Sequence, residues 1–270
     1  MNNAFHVVVC ASVVPDPLQT LEPVTGPTGP ALKNEMMLPA ILDPWAAHAL
    51  YEGANLMKKV AGSKLWLVSV APKAKLQQVM MTVAQKVPLQ LVAVDGPAGG
   101  FVDAQQTAAA LTKAIGGIAE LDRSRLLLFG GWESASRSAG VTLQMVGEQL
   151  GVVDQFQGVD AIIPKEVGSF EVLERIECAR HQVSVCAGPP AVLGWATGNL
   201  GEPRNDPQVG MQNMRGIMPS LQRATAVQFA PNGSRYGSVL TPKQQRETRI
   251  VKDKPSDEIA REIVQWMSEE

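Results

Sequence analysis

Cysteine is scarce in this chain of 270 residues. The three present, Cys10, Cys178 and Cys186, form no Cys-x-x-Cys pair, so neither a structural zinc site nor a metal cluster is expected. An odd number of thiols with no secretory leader fits a reducing compartment, and the cytoplasm is the expected location. An excess of one charge is also missing. With 24 basic and 26 acidic residues the formal net charge is -2, which argues against a general nucleic-acid binder. No apolar run approaches the length of a membrane span; the first, residues 5–10, has the length of a strand, and direct membrane insertion is not expected. Histidines never fall at metal-ligand spacing, and there is no Gly-x-Ser-x-Gly turn, no phosphate-binding loop with its lysine and no three-glycine dinucleotide fingerprint. No general acid and base assemble with a nucleophile, which points to a binding or carrier role rather than bond-making by side chains.

What is present is alternation. Short apolar runs at residues 5–10, 64–71, 89–94 and 125–129 are separated by stretches of helical periodicity, the signature of a doubly wound, mostly parallel α/β sheet. Asp43 caps the first helix, with Pro44 at its first interior position, where a missing N–H costs nothing. Asp103 starts another helix, which Gly116 and Gly117 end. The run at 125–129 empties into Gly130-Gly131-Trp132-Glu133-Ser134-Ala135-Ser136-Arg137-Ser138-Ala139-Gly140 before helical spacing resumes. A buried strand, a turn of small residues and a helix start form a setting for an anion: the backbone approaches closely and free N–H groups face the ligand. Ser134, Ser136, Ser138 and Arg137 add donors suited to phosphate oxygens, and an ordinary polar βα loop is the competing reading.

After Leu150 the pattern changes. Residues 157–163, 169–180, 182–187 and 191–196 read as strands joined by short turns, an antiparallel extension with one wet face. Residues 198–221, rich in glycine, asparagine, proline and methionine, show no periodicity and are expected to be structureless. A terminal helix begins at Ser256, with Ile259, Ile263, Trp266 and Met267 along one side. The organisation expected is therefore an α/β domain over residues 1–220 and a C-terminal arm over residues 221–270.

Other chemistry-bearing residues have ordinary structural explanations. His6 lies inside the first strand, His48 on the first helix and His181 near the start of a wet strand. Asp16 stands out more, because the carboxyl ends of parallel strands surround the ligand crevice of an open sheet, although a turn-forming aspartate accounts for it equally. Cys178 and Cys186 are expected to face each other across a hairpin as packing residues.

The order of these features resembles the beta subunit of electron transfer flavoprotein across most of residues 5–220. The resemblance is carried by Val13-Val14-Pro15-Asp16 after the first strand and by Leu42-Asp43-Pro44-Trp45-Ala46-Ala47-His48-Ala49-Leu50-Tyr51-Glu52-Gly53-Ala54, where aspartate stands in place of the family's usual asparagine. Val68-Ser69-Val70-Ala71-Pro72 and Gly201-Glu202-Pro203-Arg204, followed by Asn213-Met214-Arg215, continue it. The loop at 133–140 departs from the family: serines and Arg137 replace a run of aspartates, and Gly140 is its secure correspondence.

The resemblance implies a sheet of the adenine nucleotide alpha hydrolase-like kind and a heterodimer with an alpha subunit that holds most of the FAD. This chain would bury an adenine nucleotide, AMP or a second FAD in its place. The positions carried over are Ala11, Ser12, Asp43, Ser69, Val70, Gly130, Gly131, Ser134, Ser136, Arg137, Ser138, Gly140, Val141 and Thr142. Residues 206–215 align with the family's partner-recognition loop, with Met211 as the anchor for an electron-donating dehydrogenase and Met214 beside it; Ile259, Ile263, Trp266 and Met267 would reach the alpha subunit. Two other readings stay open at this point: an ATP- or AMP-binding signalling or adenylyl-handling domain, and a nucleotide-free structural subunit.

Overall fold

The computed structural model describes residues 4–27, 29–165, 168–230, 236–240, 242–243, 248 and 250–268. They fall into two compact units, Met1–Ser238 and Val239–Glu270. The first begins with β1 (His6–Cys10) and β2 (Val13–Pro15), a hairpin of β3 (Pro23–Gly26) and β4 (Gly29–Leu32), and then β5 (Ala40–Leu42), which returns to pair with β2. Helix α1 (Pro44–Lys59) and three βα steps follow: β6 (Lys64–Ala71) and α2 (Lys73–Val83), β7 (Gln90–Asp95) and α3 (Ala104–Gly116), β8 (Leu126–Gly131) and α4 (Thr142–Gln149). The antiparallel extension comprises β9 (Asp154–Pro164), β10 (Phe170–Ile176) and β11 (Arg180–Cys186); β12 (Ala191–Trp195), α5 (Pro207–Gln222) and β13 (Thr225–Ala226) complete the unit.

One sheet of nine strands, in the order β11-β10-β9-β12-β8-β1-β6-β7-β13, organises the unit, and its pairs are parallel except where β10 meets β9 and β11. β1 is central, with Val7 opposite Leu65 on one side and Leu127 on the other. Because side chains alternate along a strand, Val7, Val9, Leu65, Leu67, Leu127 and Phe129 bury against α1, α2 and α5, whereas Val8, Trp66, Val68, Leu126 and Leu128 bury against α3 and α4. The strand order runs outward from β1 through β6 and β7, then reverses to β8 on the other side. That reversal leaves a crevice between the loops leaving β1 and β8, where open α/β sheets take their ligands.

Three expectations change. Residues 191–196, read as part of the antiparallel extension, form β12, which pairs in parallel with both β8 and β9. Cys178 and Cys186 do not face each other: Ile176 pairs with Arg180, so Cys178 sits in the turn, while Cys186 is at the far end of β11 opposite Phe170. The largest change is α5, which replaces the structureless segment expected at 198–221. Gly210, Gly216 and the internal Pro219 lower helix propensity, but Asp206 caps the helix by accepting from Gln208 N (2.9 Å) and Val209 N (3.3 Å), and Gly210, Asn213, Ile217 and Leu221 are buried along one side. Its position also answers a need of the sheet. β13 pairs with β7 only at Val94 and Asp95, so the outer backbone groups of the rest of β7 require other partners. Asn213 Oδ1 accepts from Leu89 N, and Ser220 Oγ donates to Leu91 O at 2.7 Å.

The second unit contains α6 (Ser256–Ser268), which carries acidic residues in its first turn and no buried residue. Among the described residues no helix is long and apolar enough to cross a membrane.

Candidate functional site

The crevice at the strand-order reversal has a polar end and an apolar end. At the polar end, β1 delivers Ala11 and Ser12, α1 begins at Asp43, and β8 runs through Gly130 and Gly131 into the loop of Ser134, Ser136 and Arg137. The loop closes at Gly140, and α4 opens on the same wall with Val141 and Thr142. The apolar end is made by Val70 of β6, Ala98 and Val102 after β7, and Leu111 of α3. The crevice thus brings together all the carried-over nucleotide positions except two. Ser69 is fully buried on the other face of β6 from Val70, with no hydrogen-bond partner for its hydroxyl. Ser138 lies off the wall in a left-handed conformation (φ 50), its N–H donating to Ser134 O at 2.7 Å.

Two glycines are dictated by close approach. A Cβ at Gly140 would lie 1.4 Å from Trp132 O, and one at Gly131 would lie 2.5 Å from the Cβ of Trp45. The loop therefore folds back against its own start and lies directly on the first turn of α1. Trp132 and Trp45 meet edge to face there, with ring centroids 6.5 Å apart.

The two helices that open on the crevice end differently. Asp43 caps α1, one oxygen accepting from Trp45 N at 3.1 Å. The start of α4 has no side-chain cap: Gly140 offers none, and Val141 already has helical dihedrals. Its first N–H groups, with the positive end of the helix dipole, face the polar end and suit an anion. Ser134 and Ser136, whose hydroxyls are 3.3 Å apart, stand beside them. Arg137 is committed in part elsewhere, since its Nε donates to Gly100 O at 2.8 Å. That bond joins the loop after β8 to the loop after β7, and a Cβ at Gly100 would be only 2.8 Å from Ser136 O.

Burial pushes the Cys10 thiol up to about 12, so it stays protonated. His6 is occupied structurally, its Nδ1 accepting from Asp122 N at 2.9 Å. His181 bonds Asp160 on the extension, and His48 lies half-buried along α1. Asp16 is a turn residue, accepting from Leu18 N. Among the described residues no three His, Cys, Asp or Glu side chains are placed to hold a metal ion.

The wall formed by Pro97, Ala98, Gly99, Val102 and Ala104, together with Thr107 and Leu111, is not anticipated by the sequence reading. The signal was available: β7 ends at the same edge of the sheet as β1 and β8, so its following loop must border the same crevice. Of the positions assigned to partners, Met211 is exposed on α5, whereas Met214 packs against the core. Ile263, Trp266 and Met267 of α6 are exposed, and Ile259 is half-buried. No protein-family model matches the chain, and no curated protein matches it significantly.

Proposed function

We propose that the crevice holds an adenine nucleotide, AMP or the AMP half of a second FAD, and that the chain is the beta subunit of a heterodimeric electron transfer flavoprotein with a sheet of the adenine nucleotide alpha hydrolase-like kind. The observation that carries the nucleotide reading is the uncapped start of α4 at the polar end of a crevice whose other end is lined by Val70, Ala98, Val102 and Leu111. A phosphate fits the first, where N–H groups and the Ser134 and Ser136 hydroxyls converge; a purine fits the second. The flavoprotein reading adds the ordered resemblance over residues 5–220, including the Asp43-Pro44 segment that forms the crevice wall. In this scheme FAD, held mainly by the alpha subunit, supplies the redox chemistry. The chain's own residues bind and orient, and the cytoplasm is the location.

The partner surfaces follow the same reading. Met211, 68% exposed on α5, borders a shallow groove with Met81 and Met214, and this adaptable surface suits the electron-donating dehydrogenase. The apolar side of α6 suits the alpha subunit. The test is to purify the full chain together with the product of its neighbouring reading frame, denature the complex and identify the released small molecules by chromatography and mass spectrometry. Stoichiometric AMP with FAD is expected. A chain that copurifies with no flavin subunit and releases no adenine nucleotide overturns the reading.

A further inference from the structure

We infer that Asp43 is a positioning residue: its ionised carboxylate fixes the loop at 132–141 in place for the nucleotide's phosphate, and it makes no polar contact with the ligand. The inference deepens the nucleotide reading and rests on it for the ligand alone. Asp43 is 1% exposed, and both of its oxygens are taken by backbone donors. Oδ1 accepts from Trp45 N at 3.1 Å and Oδ2 from Ala135 N at 2.9 Å. Its own N–H donates to Ser12 O at 2.9 Å, and the Ser12 hydroxyl bonds its side chain. One residue therefore joins the exit of β1, the first turn of α1 and the middle of the loop. Ala135 lies between Ser134 and Ser136, so holding its N–H sets where both hydroxyls stand.

The carboxylate is required, not merely a polar side chain of that size. An amide has one acceptor oxygen, and its NH₂ would face either the Trp45 or the Ala135 N–H, donor against donor. Protonation of the acid has the same effect on one oxygen. Burial holds this carboxyl above the usual range, against hydrogen bonds from Ala135, Trp45, Ala46 and Ser12 that favour the ionised form. The other titratable groups around it are Cys10 at the end of β1, Glu133 and Arg137 on the loop, Asp103 beyond the β7 wall and His48 one turn along α1.

The test reads the Ala135 amide directly, by hydrogen exchange followed by NMR on the full chain without nucleotide, corrected for intrinsic exchange. In the wild type at neutral pH the Ala135 amide is expected to be protected, as the amides of β1 and β8 are. In Asp43→Asn the Ala135 amide should exchange about tenfold or more faster while those of β1 and β8 stay protected. Affinity for AMP, measured by calorimetry, should drop about tenfold, as for one lost charge-assisted hydrogen bond. Unchanged Ala135 protection in Asp43→Asn, or an unprotected Ala135 amide in the wild type, overturns the inference. The wild-type measurement requires no variant to fold. Failure of the wild type to bind AMP would instead strike the nucleotide reading, and the exchange data would still decide the role of Asp43.

Discussion

Asp43 and Asp160 are both buried carboxylates in one sheet domain, yet they are solvated by opposite means. Asp43 is surrounded by backbone N–H groups and a hydroxyl, with no ion pair to it among the described residues, and burial leaves its pKa raised. Asp160, on β9, is also penalised by burial, but Arg175 and His181 together outweigh it, Arg175 donating from Nη2 at 2.7 Å and from Nε at 3.0 Å. His181 adds a bond at 2.9 Å, and the net pKa is lowered. Arg175 also reaches Thr197 Oγ1 at 2.6 Å, so the Asp160 group ties three strands of the extension to the segment after β12. A charge that has its counter-ion serves cohesion. A charge held only by dipoles is retained at a cost to stability, and at Asp43 that cost falls beside the crevice, where a fixed loop is needed.

The comparison predicts unequal losses on truncation. Asp160→Ala should be the more damaging, at about 2 kcal/mol in denaturant unfolding at neutral pH. It strands a guanidinium, but the Arg175 side chain is 41% exposed and rehydrates in part, so the full penalty of a buried orphan charge does not apply. Asp43→Ala removes a helix cap and takes the acceptor from two part-buried N–H groups, yet it also relieves a buried charge; a loss of about 1 kcal/mol is expected. If Asp43→Ala proves the costlier of the two, the burial penalty assigned to Asp43 is wrong.

The pH dependence separates them by sign. The folded pKa of Asp160 lies below its unfolded value, so its contribution is present above the ordinary carboxylate pKa and is lost as pH falls through the folded one. For Asp43 the folded value lies above, so the native state binds more protons between the two and the cost of its charge is relieved as pH falls. Asp160→Asn should therefore flatten the acid loss of stability seen in the wild type, and Asp43→Asn should steepen it. Chemical denaturation at a series of pH values compares the three slopes, and equal slopes would remove the distinction.

How far such features could be read from the chain depended on whether local chemistry and packing agreed. At Asp43-Pro44 they did: cap, proline and apolar spacing all announce α1, and the structure has it at Pro44–Lys59. Asp206-Pro207 is the same signal in front of α5, but glycines, a proline and an asparagine in the helix body hide it. What stabilises α5 is the edge of β7, through Asn213 and Ser220, a long-range need that no window of sequence displays. The crevice was legible in outline because strand ends and a small-residue loop are local. The Asp43 tie to Ala135 was not, being a contact across 92 positions. Family resemblance marked Asp43 as a ligand-side residue, and it lines the crevice with its oxygens bonded to backbone donors.

The smallest stability effect is expected where the crevice matters most. Ser134 and Ser136 are largely outside the packed core, and their hydroxyls bond each other at 3.3 Å, a long contact that contributes little. The double change Ser134→Ala and Ser136→Ala should move unfolding free energy by less than about 0.5 kcal/mol. The loop should remain fastened, because Ala135 N and the Asp43 carboxylate are untouched. AMP affinity, by contrast, should fall about tenfold or more, since two donors at the polar end are gone while the start of α4 remains. Loss of affinity at constant stability would place the loop's function in its hydroxyls and its position in Asp43. Loss of stability with affinity unchanged would mean that the serines hold the loop and the ligand lies elsewhere.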